Sequence, residues 1–182
     1  MLGLLGAFGL AAATGLNAYL PLLIVGLLAR YTHLIALRPP WSALTHPVVL
    51  VVIGVLLAIE ITVDKIPAVD TVNDVIQTIF RPAAGAILFA ASGNVISNVS
   101  PVLAMICGLL IAGGIHTAKA AARPVVTAHT AGMGNPVVSL AEDAVSGVTA
   151  VVAVVAPIVL GLLLLLAVWL LIRRHGGRST RA

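Results

Sequence analysis

Residues 47–81 read PVVLVVIGVLLAIEITVDKIPAVDTVNDVIQTIFR, and this stretch decides the fold. From Pro47 to Ile59 nothing is charged, which is the pattern of a helix immersed in hydrocarbon. Glu60, Asp64, Asp70 and Asp74 then follow, four of the six acidic residues in the chain. The other two, Glu142 and Asp143, are neighbours in a second polar island. Ionisable groups in or beside a bilayer are costly, so a chain that gathers all of its carboxylates into two places points to a site.

Composition agrees with this reading. Hydrophobic residues make up 60% of the 182 positions and charged residues 9%, whereas a soluble domain carries about a quarter charged. Long apolar runs rather than short alternating strands exclude a membrane β-barrel and imply an all-α, polytopic transmembrane helix bundle. The single cysteine, Cys107, lies inside an apolar run and excludes a disulfide framework. The formal charge of +4 rests partly on the basic tail at 173–182, which reads as a topology anchor at anionic lipid and not as a nucleic-acid site.

Working outward, Pro47 aligns with Pro101 at an offset of 54, which also pairs Gly54 with Gly108, Lys65 with Lys119 and Pro82 with Pro136. The expectation is one transmembrane domain over 1–182 with repeat units of about 47–100 and 101–154. Prolines suit first helical turns, and Asn17, Arg81-Pro82 and Asn135-Pro136 supply polar starts. Helices are therefore expected over about 10–29, 47–64, 82–98, 101–118, 136–154 and 157–172, giving about six spans, or five with the N-terminus outside if 136–172 hold one re-entrant element and one span. Between them, residues 66–80 carry a helical stripe of Asp70, Asn73, Asp74 and Gln77 opposite Ile66, Val69, Val72, Ile76 and Phe80, which predicts a short re-entrant or interfacial helix. With six crossings, eight of the ten Lys and Arg residues lie on one face, making it the cytoplasmic side of an inner (plasma) membrane.

This topology brings the polar residues to one depth, at the cytoplasmic mouth. Glu60, Asp64, Asp70, Asp74, Glu142 and Asp143 are hard oxygen donors suited to a divalent cation such as Mg²⁺, Mn²⁺ or Ca²⁺, or to carrying protons. Lys65, Arg81, His116, Lys119 and Arg123 would serve as counter-ions or anion-binding groups. These residues support a small transporter or channel with a carboxylate-lined cation or proton site. The same acids and bases also suit a Mg-dependent enzyme or binder of lipid phosphates or polyprenyl phosphates. A third reading takes them as internal ion pairs of a structural membrane subunit. The expected partner is the lipid bilayer, and the glycines offer close-packing surfaces to a second copy in a homo-oligomer.

Several motifs together resemble a known family. They are G-L-N-A-Y-L-P-L-L at 15–23, Glu60 to Lys65, Asp70 to Asp74, Arg81-Pro82, His116 with Lys119, and Asn135-Pro136 with Glu142-Asp143. They resemble a prokaryotic integral-membrane family catalogued only as a domain of unknown function, which implies no activity. A weaker similarity joins Glu60, Asp64 and Lys65 to the E-x-G-D-K signature of cation/proton exchangers related to the Golgi manganese transporter family, at a different spacing.

Overall fold

The computed structural model describes residues 3–64, 67–92 and 100–176. Its regular structure, among the described residues, is entirely helical: α1 (Leu4–Leu16), α2 (Tyr19–Tyr31), a 3-10 helix (Trp41–Thr45), α3 (Pro47–Val63), α4 (Pro67–Ala91), α5 (Pro101–Thr130), α6 (Asn135–Val155) and α7 (Pro157–Gly176). Among the described residues, three segments are long and apolar enough to cross a membrane, namely Val72–Ala91 within α4, all of α5 and all of α6. The chain is an all-α membrane protein.

Proline marks the helix starts at Pro47, Pro101 and Pro157, where the missing N–H would have had no intrahelical partner. Pro82 behaves differently. It lies inside α4, so Arg81-Pro82 is not a helix start and residues 67–80 are not a separate interfacial helix, residue 66 lying outside the described residues. Val72, Val75, Ile76, Ile79 and Phe80 form one exposed stripe whose helical period continues to Ala83, past the proline. A proline there removes only its own bond to the carbonyl four residues back, that of Thr78. α5 likewise continues beyond the expected end at 118, because Ala104, Gly108, Ala112, His116, Lys119 and Arg123 form one buried face along it. Helix starts thus recur at Pro47 and Pro101, but the second half of the unit does not repeat, since Pro82 is interior while Pro136 stands in the first turn of α6.

The expected single helix over 10–29 is two helices of opposite direction. Along α1, Phe8 meets Phe89, Gly15 meets Ala112 and the Leu16 carbonyl meets Lys119. The helix therefore runs parallel to α5 from its start toward its middle. Along α2 the order is reversed: the Ala18 N–H faces Glu60 near the end of α3, and Gly26 packs on Leu44 and Leu50 at its beginning. The break is local. Asn17 is extended, and its Oδ1 accepts the N–H groups of Tyr19 (3.1 Å) and Leu20 (2.8 Å), capping the second helix as it terminates the first.

Away from this tip the interior is apolar and closely packed. Leu10, Ala13, Leu22, Val25, Ile53, Leu57, Leu88, Ala150 and Val154 form the main core. Gly85 and Gly108 let α4 and α5 touch backbone to backbone, since a Cβ on Gly108 would strike the carbonyl of Gly85. At the level of the tip the usual distribution is inverted. Val75 and Ile79 are 69% and 72% exposed, while Gln77 and Arg81 on the same helix are 2% and 0% exposed. Polar groups inside and hydrocarbon outside are what a surrounding lipid phase demands.

Candidate functional site

The tip of the α1–α2 pair faces the polar inner faces of α3, α4, α5 and α6. Arg81 occupies the centre and is fully buried. One terminal nitrogen, Nη2, donates to Glu60 Oε1 at 3.1 Å and lies 3.6 Å from Asp64 Oδ2. The other, Nη1, faces Asp74 Oδ1 at 3.5 Å and donates to His116 Nδ1 at 2.9 Å. Because a guanidinium only donates, His116 Nδ1 must accept; the ring is then neutral, and its Nε2–H is the donor to Thr78 Oγ1 at 3.1 Å. Thr78 in turn donates to the carbonyl of Asp74.

A second centre is built on Lys119. Its ammonium lies 3.0 Å from Glu142 Oε2, 3.2 Å from the Leu16 carbonyl and 3.6 Å from Asp64 Oδ2. The carbonyl is among the last of α1, where a cation meets the negative end of the helix dipole. Arg123, one turn further along α5, donates to Glu142 at 2.7 Å. Asp64 joins the two centres, and its other oxygen accepts the Asn73 amide at 2.6 Å. Asp143 is held through Asn17, whose Nδ2 donates to Asp143 Oδ1 at 2.9 Å.

Most of the residues singled out from the sequence therefore converge: Glu60, Asp64, Asp74, Glu142 and Asp143 with Arg81, His116, Lys119 and Arg123, and with Asn17 at the tip. Asn135 stands apart. It opens α6 and exchanges hydrogen bonds with Thr127 of α5 at 3.0 and 3.2 Å, fastening the α5–α6 turn. Lys65 and the side chain of Asp70 lie outside the described residues. Among the described residues no group of three or more His, Cys, Asp or Glu side chains is gathered so as to hold a metal ion. The carboxylates are turned instead toward arginine and lysine.

The sequence did not single out several participants. The Ala18 N–H, which approaches Glu60 Oε1 at 3.5 Å, and the Leu16 carbonyl are main-chain groups released by the helix break. Thr78 orients His116, and Ser146 donates to the Ala13 carbonyl at 2.9 Å, tying α6 to α1. Asn17 between two apolar runs, following Gly15, was the one local signal of that break.

Not every buried polar atom is satisfied. Among the described residues, Glu60 Oε2, Gln77 Oε1, Arg81 Nε and Ser139 Oγ have no hydrogen-bond partner. Five carboxylates also face only three fixed cations (Arg81, Lys119 and Arg123) among the described residues, which leaves the network with an excess of negative charge when all are ionised.

Searches of curated proteins and of solved structures found no match to this chain. Residues 4–175, which hold all of the helices but the last residue of α7, match the family described as Domain of unknown function (DUF4126), and the chain belongs to that family.

Proposed function

We propose that the protein is a small membrane transporter or channel whose buried network handles a cation or a proton. The observation that carries this reading is the charge imbalance of the network, among the described residues, beneath an apolar outer surface. A purely structural set of ion pairs gains nothing from surplus buried carboxylates, which are costly in a low dielectric. An ion-handling site requires them.

The depth of the network supports the same reading. α1 has 13 residues. At a rise of 1.5 Å per residue the tip lies about 20 Å from the end at which α1 begins, or about two thirds of a hydrocarbon core of about 30 Å. The exposed surface stays apolar past this level, at Val72 and Val75 on α4, Val125 on α5, and Val137 and Leu140 on α6. In this reading the network lies within the membrane rather than at its mouth, since its charges stand in helix interiors and are neutralised by partners on other helices. A broken helix pair that turns main-chain groups toward buried charges inside the bilayer is a device of secondary transporters.

In this reading α1 and α2 are re-entrant and α3 to α7 cross the membrane, five crossings in place of six. The arginine-rich end of α7 and the α5–α6 turn lie on the cytoplasmic side, with Arg30 and Arg38 opposite, in an inner membrane. Asn135, Ser139, Glu142 and Asp143 line the inner face of α6 between that side and the network, while the core around Leu10, Leu88 and Ala153 closes the other side.

A divalent cation would have to displace Arg81 or Lys119 from their acids. A lipid-phosphate site would need the same bases to leave them. A structural subunit is the second reading, favoured by Asp64, both of whose oxygens face donors. Reconstitution in liposomes separates the two. We expect dissipation of an imposed pH or cation gradient by the wild type and its loss in Glu60→Gln. Wild-type vesicles as tight as empty ones would overturn the transport reading and leave the structural one.

A further inference from the structure

The two acids at the end of α3 are held differently. Asp64 is saturated, by the Asn73 amide on Oδ1 and by Arg81 and Lys119 on Oδ2. Glu60 is bound on one side only. Its Oε1 accepts Arg81 Nη2, while Oε2 has no partner in a side chain that is 1% exposed. Gln77 lies one turn before Arg81 on the same face of α4 and is as deeply buried, and its Oε1 also lacks a donor. Both residues face the Tyr19 hydroxyl at the start of α2. A hydroxyl has one proton to give, so it serves at most one of the two acceptors and the other is left without a donor, an arrangement that buried polar groups avoid.

We propose that Glu60 is the proton-binding residue of the network, carrying the proton on Oε2 beside the Tyr19 hydroxyl and the Gln77 amide. One proton supplies the donor that is lacking. The carboxylate becomes a neutral acid, its new O–H donates toward the Tyr19 hydroxyl and Gln77 amide, and Oε1 keeps its bond from Arg81. Loading takes a proton from water on the side of the α5–α6 turn, and release restores the carboxylate. No other bond changes. The charges facing Glu60 are consistent with local neutrality: Asp64 on its own helix, Arg81 with Asp74 on α4, Lys119 on α5, and Tyr19 on α2, with His116 held neutral behind Arg81. The 3-10 helix against α3 has no titratable side chain. A hard divalent cation takes six or more oxygens, and the two free acceptors fall well short of that. The proposal deepens the transport reading by naming its ion.

Infrared spectroscopy of the purified protein in detergent tests it, through the C=O stretch of a protonated carboxyl at neutral pH, where exposed carboxylates are ionised. We expect such a band in the wild type, its loss in Glu60→Gln and its persistence in Asp64→Asn. In Gln77→Leu the band should shift to higher frequency as a polar neighbour of the carboxyl is removed. The proposal fails if the wild type has no band at neutral pH, or if the band survives Glu60→Gln. It fails too if sodium or potassium abolishes the band, which would assign the site to a metal cation. Should Glu60→Gln not fold, Gln77→Leu decides, and an unmoved band there overturns the assignment. Flux through the same preparations keeps the two conclusions separate. A band without flux removes the transport reading alone, and flux without a band removes the proton assignment alone.

Discussion

The two ends of the bundle present the same apolar surface to the surroundings and enclose opposite interiors. Around Leu10, Leu88, Ala150 and Ala153 the helices are held by small residues and direct backbone contact, with Gly85 against Gly108. Around Arg81 and Lys119 they are held by charges that lipid cannot solvate. Between helices in a membrane the hydrophobic effect offers little, because lipid tails are as apolar as leucine. Each end therefore relies on a different substitute, dispersion at close range in one and ion pairs in the other. Only the second can respond to an ion.

The sharpest way to break the comparison is Arg81→Leu. Removing the guanidinium strands Glu60 and Asp74 and leaves Asp64 to Asn73 and Lys119 alone, and losing one side of a buried pair costs about 3–5 kcal/mol. We expect a large fall in the unfolding midpoint in detergent, partly recovered in the double variant with Glu60→Gln. If the midpoint were unchanged, the ion pairs would not be holding this end. Overpacking the apolar end comes next. Gly108→Val would force α4 and α5 apart, because the clash is with the Gly85 backbone and not with a flexible side chain, at a cost of about 1–3 kcal/mol. Stability should fall while the infrared signature of the network at the other end is retained.

A smaller effect is expected where the ends meet. Asn17→Ala removes the cap of α2 and the amide that holds Asp143, for about 1 kcal/mol from the cap. Flux should suffer more than stability, since the tip of the α1–α2 pair loses its anchor to α6. The control is Val55→Leu on the outer face of α3, expected to change stability by no more than about 0.5 kcal/mol because it exchanges one lipid-facing side chain for another. A larger change measured there would mean that this face packs against another protein rather than lipid.

The sequence was informative about the site because ionisable residues are scarce in it. Glu60, Asp64, Arg81, Lys119, Glu142 and Asp143 could be singled out before any geometry was known, and they do meet. The helix starts at Pro47, Pro101 and Pro157 were legible for an equally local reason, the missing N–H of proline. What misled was the rule that charges mark helix ends. Arg81 and Lys119 lie in helix interiors because partners on other helices neutralise them, and those partners are distant in sequence. The same blindness hid the reversal at Asn17. An apolar run with one asparagine reads alike whether the chain continues straight or turns back.

By itself, then, the sequence determined that this chain is a helical membrane protein with a few charges to be accounted for, since hydropathy and proline act over one or two turns. Which way α2 runs, which acid is saturated and which retains an open oxygen were decided only by tertiary structure. Asp64 and Glu60 lie one turn apart on the same stretch of chain. Their difference comes from Asn73, Lys119 and the Ala18 N–H, groups contributed by three other segments of the fold.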